Sequence, residues 1–188
     1  MYPSMERQHL RILAISGSLR TKSANTALVH LAAQSAPEGA EVVIYNGLAG
    51  LPHFNPDLDR EPAHPSVSEL RAHVEASDAL LISVPEYAHG VPGSLKNALD
   101  WLVGSGELLD KPVAVINASP RSTHAFASLV ETLTVMSAVV VRDASIVLPF
   151  TPDAADVAFR SEESKERRVL RRAMQALIAA VGRARAAS

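Results

Sequence analysis

Ala79-Leu80-Leu81-Ile82-Ser83-Val84-Pro85-Glu86-Tyr87-Ala88-His89-Gly90-Val91-Pro92-Gly93-Ser94-Leu95-Lys96-Asn97-Ala98-Leu99-Asp100-Trp101 passes from an unbroken apolar run, through a loop with two prolines and two glycines, into a helix. A run such as Ala79 to Val84, apolar on both faces, is expected of a parallel strand covered by helices on each side. Pro85 ends it. The helix begins near Ser94 and extends to about Val103, with Leu95, Ala98, Leu99 and Leu102 as its core stripe. In open α/β sheets ligands sit outside the carboxyl ends of the strands, so the Pro85–Gly93 loop is a candidate site.

Working outward, the same alternation recurs. Strands are expected at Arg11 to Ser16, Glu41 to Tyr45, Pro112 to Ala118 and Val139 to Val147, and helices at Asn25 to about Ser35, Ser66 to Ser77 and the segment burying Phe126, Leu129, Val130, Leu133 and Met136. A last helix covers roughly Ser161 to Ala187, with Val169, Leu170, Ala173, Met174, Leu177, Ile178 and Val181 on one face and a solvated Glu163–Arg167 pair. Five apolar strands alternating with helices predict a three-layer α/β sandwich with a five-stranded parallel sheet. Right-handed crossovers with one reversal predict strand order 2-1-3-4-5. That order puts the switch point between strands 1 and 3. The loop after Ser16 therefore faces the loop after Val84.

Composition bounds the rest. The 188 residues suit one domain, 1–188, with a tail over 1–10 and a terminal helix over 161–188. Eighteen basic against twenty acidic residues supply no basic field for nucleic acid. The chain has no cysteine, which removes disulfides, a thiol nucleophile and Cys-ligated metal, and no histidine pair has metal-ligand spacing. Met1 to Arg11 lacks a signal peptide's apolar core and no run reaches membrane-spanning length, so a soluble cytoplasmic protein is expected.

The facing loop, Gly17-Ser18-Leu19-Arg20-Thr21-Lys22-Ser23-Ala24-Asn25-Thr26, is rich in hydroxyls and amides and contains arginine. It suits a phosphate monoester, which backbone N–H groups at a helix start, hydroxyls and a guanidinium can hold. It is neither a Walker A loop nor Gly-x-Gly-x-x-Gly. Plain helix capping by Ser23 and Asn25, with Arg20 and Lys22 in solvent, is the alternative reading of these residues.

Gly17-Ser18-Leu19-Arg20 with Ser23 and Asn25, together with Pro85-Glu86-Tyr87 and Pro92-Gly93-Ser94-Leu95-Lys96-Asn97-Ala98-Leu99-Asp100-Trp101, resemble the NADPH-dependent FMN reductase family, a flavodoxin-like group with quinone, azo-dye and chromate reductases. The resemblance runs from about Ile12 to Val147. It implies that Ser18, Arg20, Ser23 and Asn25 hold the FMN phosphate and that Pro85, Glu86 and Tyr87 line the isoalloxazine, largely through main-chain groups. Fixed N–H dipoles can stabilise charge developing at the flavin N1 and C2 carbonyl, so Glu86 is expected to position rather than titrate. Ser119 and Arg121, which follow strand 4 where many members carry glycines after Ser-Pro, are expected to complete the cofactor-binding set. Ala88-His89 stand where asparagine is frequent, and Ser119-Pro120-Arg121-Ser122-Thr123-His124 either narrows the pocket or offers Arg121 to the anionic part of the dinucleotide. Implied further are a hydride passing from NADPH or NADH to flavin N5, an acceptor such as a quinone, free flavin, azo compound or chromate, and a homodimer or homotetramer. Trp101, off its stripe, is then either an intersubunit residue or core. The rivals are a flavodoxin-type electron carrier and a flavin-free domain that kept the fold.

Overall fold

The computed structural model describes residues 9–60, 62–151, 158–159, 161 and 163–187. Parallel strands β1 (Leu10–Ser16), β2 (Ala40–Tyr45), β3 (Ala79–Ser83) and β4 (Pro112–Asn117) form the sheet, with β5 (Val139–Val140) and β6 (Ile146–Val147) both on the outer edge of β4. The order β2-β1-β3-β4-β5 is the expected one, with helices on both sides. Helices α1 (Ala24–Gln34), α2 (Pro65–Glu75), α3 (Gly93–Asp100), α4 (Thr123–Val135) and α5 (Lys165–Ala187) complete the layers.

The alternation of strand side chains divides the core in two. Ile12, Ala14, Leu81, Ala114 and Ile116 meet α1 and α5 on one face, while Leu13, Ile15, Leu80, Ile82, Val113 and Val115 meet α2, α3 and α4 on the other. Ser16 lies directly opposite Ser83, so β1 and β3 end level with each other and their loops leave side by side.

The fifth strand departs from the continuous Val139 to Val147 segment expected. A 3-10 turn at Arg142–Ala144 interrupts it and buries Ala144. Ser145 bridges the gap: its hydroxyl accepts from the Val115 N–H at 3.1 Å and donates to the Val141 carbonyl at 2.9 Å, replacing the ladder bond that the turn removes.

Trp101 is also placed differently from the intersubunit reading. It is 1% exposed, at the end of α3, under the segment that follows β2. Its Nε1 donates to the Pro52 carbonyl at 2.9 Å, and Phe54 meets its ring edge-to-face at 5.1 Å. Asn97 binds the same segment at both ends of its amide, Nδ2 to the Pro52 carbonyl (2.9 Å) and Oδ1 from the Phe54 N–H (2.7 Å). Arg71 joins in, donating to the Trp101 carbonyl at 2.7 Å and pairing with Asp59 at 2.8 Å. The segment between β2 and α2 is therefore a strap latched onto α3.

The expected terminal helix starts at Lys165, and the Glu163–Arg167 surface pair does not form. Arg167 is buried and donates to the carbonyls of Ala158 (3.0 Å) and Phe159 (3.2 Å) and to Gln34 Oε1 (2.8 Å), joining α5 to the end of α1. Of the expected tail, residues 1–8 lie outside the described residues, as does Ser188 of the helix.

Candidate active site

The loops after β1 and β3 meet in a cleft of about 460 Å³ lined by Gly17, Leu19, Arg20, Tyr87, Pro92, Gly93 and Ser94. Gly17 makes their close approach possible. Its N–H donates to the Ser83 carbonyl at 2.8 Å, and a Cβ there would stand 2.9 Å from Leu95 Cδ2 and 3.2 Å from both Pro85 Cδ and the Ser83 carbonyl oxygen. Any larger residue would push the two loops apart. At Gly93, by contrast, a Cβ would meet no protein atom within 4 Å, so the cleft opens directly over the backbone at the start of α3.

The first loop is organised by its hydroxyls. Ser16 Oγ lies 2.8 Å from Thr26 Oγ1 and accepts from the Ser18 N–H, and Ser18 Oγ accepts from the Arg20 N–H. Ser18 Oγ also lies 3.3 Å from Tyr87 Oη, the one side-chain hydrogen bond found between the two loops. Ser23 caps α1, accepting from the Thr26 N–H. Arg20 is exposed at the cleft, and no ion pair holds it among the described residues.

Asn25 is engaged through its side-chain carbonyl. It is buried, and its Oδ1 accepts from Ser83 Oγ (2.9 Å) and the Ala118 N–H (3.3 Å), tying the start of α1 to β3 and β4. Its carbonyl thus serves the scaffold below the loop.

In the second loop Pro85 is buried and Tyr87 is 48% exposed. Glu86 Oε2 accepts from the Ala125 N–H at 2.9 Å, which fixes the first turn of α4 to the loop after β3. Tyr87 and Gly90 close a two-residue hairpin, each N–H donating to the other's carbonyl. Its central residues, Ala88 (φ 49°) and His89 (φ 62°), are both left-handed although neither is glycine. Such a conformation costs roughly 1 kcal/mol or more per residue. Ser119 and Arg121 follow β4, one strand further along; Ser119 Oγ accepts from the Arg121 N–H and neither side chain lines the cleft.

Sequence reasoning located both loops. It did not single out Leu19, although a leucine 58% exposed beside Arg20 is the apolar part of the cleft rim. Exposure of a loop leucine leaves no periodic signal to read.

A doubly wound α/β chain of strand order β2-β1-β3-β4-β5, with a cleft at its switch point, places the protein in the flavodoxin-like fold class. The family model for NADPH-dependent FMN reductase matches residues 10–153. The chain belongs to that family, and is accordingly an FMN-dependent, NAD(P)H-using oxidoreductase. It is 31% identical over 173 residues to an NAD(P)H-dependent FMN reductase of Pseudomonas aeruginosa, covering 89% of this chain and 93% of that one. A quinone reductase of Escherichia coli is 34% identical over 108 residues, 57% of this chain and 56% of its own. Among solved structures, the flavoenzyme NAD(P)H:(acceptor) oxidoreductase FerB of Paracoccus denitrificans superposes with a TM-score of 0.71 at 27% identity, over 93% of this chain and 98% of that one.

Proposed function

We propose that the chain binds FMN across the cleft between its first and third loops and uses it to pass electrons from NADPH or NADH to a small acceptor: a quinone, free flavin, azo compound or chromate. The observation that carries this reading is the cleft itself, where an uncommitted arginine, the hydroxyls of Tyr87 and Ser94 and the open backbone at Gly93 converge, with Ser18 bonded to Tyr87 at its edge.

FMN, when bound, supplies the redox chemistry by accepting a hydride from the nicotinamide and releasing two electrons to the acceptor. The residues of the chain bind and orient. Arg20 and the hydroxyls of Ser18 and Ser23 are of the kind that hold a phosphate dianion, and the start of α1 adds unpaired N–H groups. The main chain from Pro85 to Tyr87 would line the ring. Glu86 keeps α4 in register with that loop through Ala125, so its carboxylate positions rather than transfers protons. Tyr87, hydrogen-bonded to Ser18, holds the two walls at a fixed separation. The working form is a homodimer or homotetramer in the cytoplasm.

The test is the visible spectrum of the purified protein before and after anaerobic NADPH. A bound flavin that bleaches with NADPH and reoxidises with a quinone is expected. Flavin that binds and stays oxidised would make the chain a flavodoxin-type carrier, and no affinity for added FMN would end the reading.

A further inference from the structure

The junction between the loops after β3 and β4 carries three basic or titratable side chains that the cleft does not use. His89 and His124 face each other with ring centroids 4.2 Å apart and planes inclined at 32°. Both are exposed, His124 being on the first turn of α4, three residues after Arg121. Arg121 is exposed too, and among the described residues no carboxylate pairs with it. The one acidic group found bonded at this junction, Glu86, is engaged by the Ala125 N–H. His89 is held in place at a cost, since it occupies a left-handed position next to another, Ala88. A glycine would sit there without strain. Backbone strain maintained beside a binding cleft, to present an imidazole at the surface, motivates a ligand-binding role.

We propose that Arg121, His89 and His124 form a phosphate-binding patch beside the cleft that receives the phosphoryl groups of the incoming pyridine dinucleotide. The proposal rests on the NAD(P)H-oxidising reading above and adds where the donor is held. The guanidinium offers N–H donors and positive charge to a phosphoryl oxygen, each imidazole offers a ring N–H, and the groups come from two loops that Glu86 fixes to each other. Tyr87, two residues before His89 on the same hairpin, lines the cleft. A dinucleotide anchored on this patch therefore lies next to the cleft wall that Tyr87 forms.

The experiment is calorimetric titration of the FMN-loaded protein with ADP-ribose and with 2′-phospho-ADP-ribose, which carry the phosphates but no nicotinamide. Arg121→Ala is expected to weaken binding about tenfold, and His124→Ala several-fold, with flavin content unchanged. An equal loss for both ligands identifies the diphosphate as the bound group; a larger loss for 2′-phospho-ADP-ribose identifies the 2′-phosphate. His89→Gly separates this role from a structural one: it should raise Tm by relieving the left-handed strain while weakening both ligands. Unchanged affinities in all three variants overturn the proposal, as does loss of FMN in place of ADP-ribose affinity. If the wild-type chain takes up no FMN, the functional reading itself has failed, a result distinct from either.

Discussion

Arg20 and Tyr45 show how single side chains divide between binding and stability. Arg20 is exposed at the cleft and free of ion pairs among the described residues, so its removal costs the scaffold little. Arg20→Ala should raise the FMN dissociation constant roughly 10- to 100-fold, the loss of one charge-assisted phosphate contact, with the Tm of the flavin-free protein unchanged. Spectrophotometric titration with FMN, alongside thermal melts, checks both halves. Tyr45, at the end of β2, is the reverse case: its Oη is buried with no hydrogen-bond partner among the described residues, above Gly47, where a Cβ would come within 2.3 Å of the hydroxyl. Burial, and then the charge of Glu69, push the phenol up to about 12 from its usual 10.0. Its folded-state pKa lies above the unfolded one, so the associated stability is complete below pH 10 and is lost as pH rises towards 12. Tyr45→Phe should stabilise the protein at neutral pH by about 1 kcal/mol and remove part of its alkaline destabilisation. Urea denaturation at pH 7 and pH 11 tests this; a variant weaker than wild type at pH 7 would contradict it.

Among the elements, α3 does most to shape the cleft, because its first turn supplies Gly93 and Ser94 to the wall while its later turns anchor the strap. Asn97→Ala removes both amide bonds to that strap and leaves the Pro52 carbonyl with one donor. A loss of about 2 kcal/mol is expected, together with weaker FMN binding, since the wall and the latch share a helix. Chemical denaturation and flavin titration of the same variant measure the two effects. Strands β1 to β4 and the core stripe of α3 were legible in the sequence because apolar periodicity is a local property. Leu95, Ala98, Leu99 and Leu102 are all buried. The broken fifth strand was not legible, because its interruption depends on Ser145 reaching the backbone of another strand. Arg167 read as a surface feature, and Trp101 was left between an intersubunit and a core place, for a related cause: the groups that hold them, Gln34 with Ala158 and Pro52 with Phe54, belong to other elements. At the site, both loops could be read from residue type, but the inward turn of Asn25 depends on Ser83 and Ala118, which only the folded sheet brings near.

For the molecule as a whole, two apolar layers enclose the sheet, and α5 closes one of them through Leu170, Met174, Leu177 and Val181. Arg167 fastens the beginning of this helix with bonds to four acceptors on two other segments. Arg167→Ala leaves the buried Ala158 carbonyl and its partly buried neighbours without their donor, and a loss of about 2–4 kcal/mol is expected, read as a lower urea midpoint. FMN affinity should hardly change in the folded fraction, because Arg167 lies outside the residues that line the cleft.

Trp101 is the chain's only tryptophan. Packed beneath Pro52 and Phe54, it gives the protein an intrinsic fluorophore at one known place: emission should be blue-shifted while the latch holds and move red when the strap opens, ahead of global unfolding. Flavin absorbs where tryptophan emits, so filling the cleft should also quench that emission by energy transfer. A single optical channel can thus follow cofactor loading and strap opening in real time, without an introduced label.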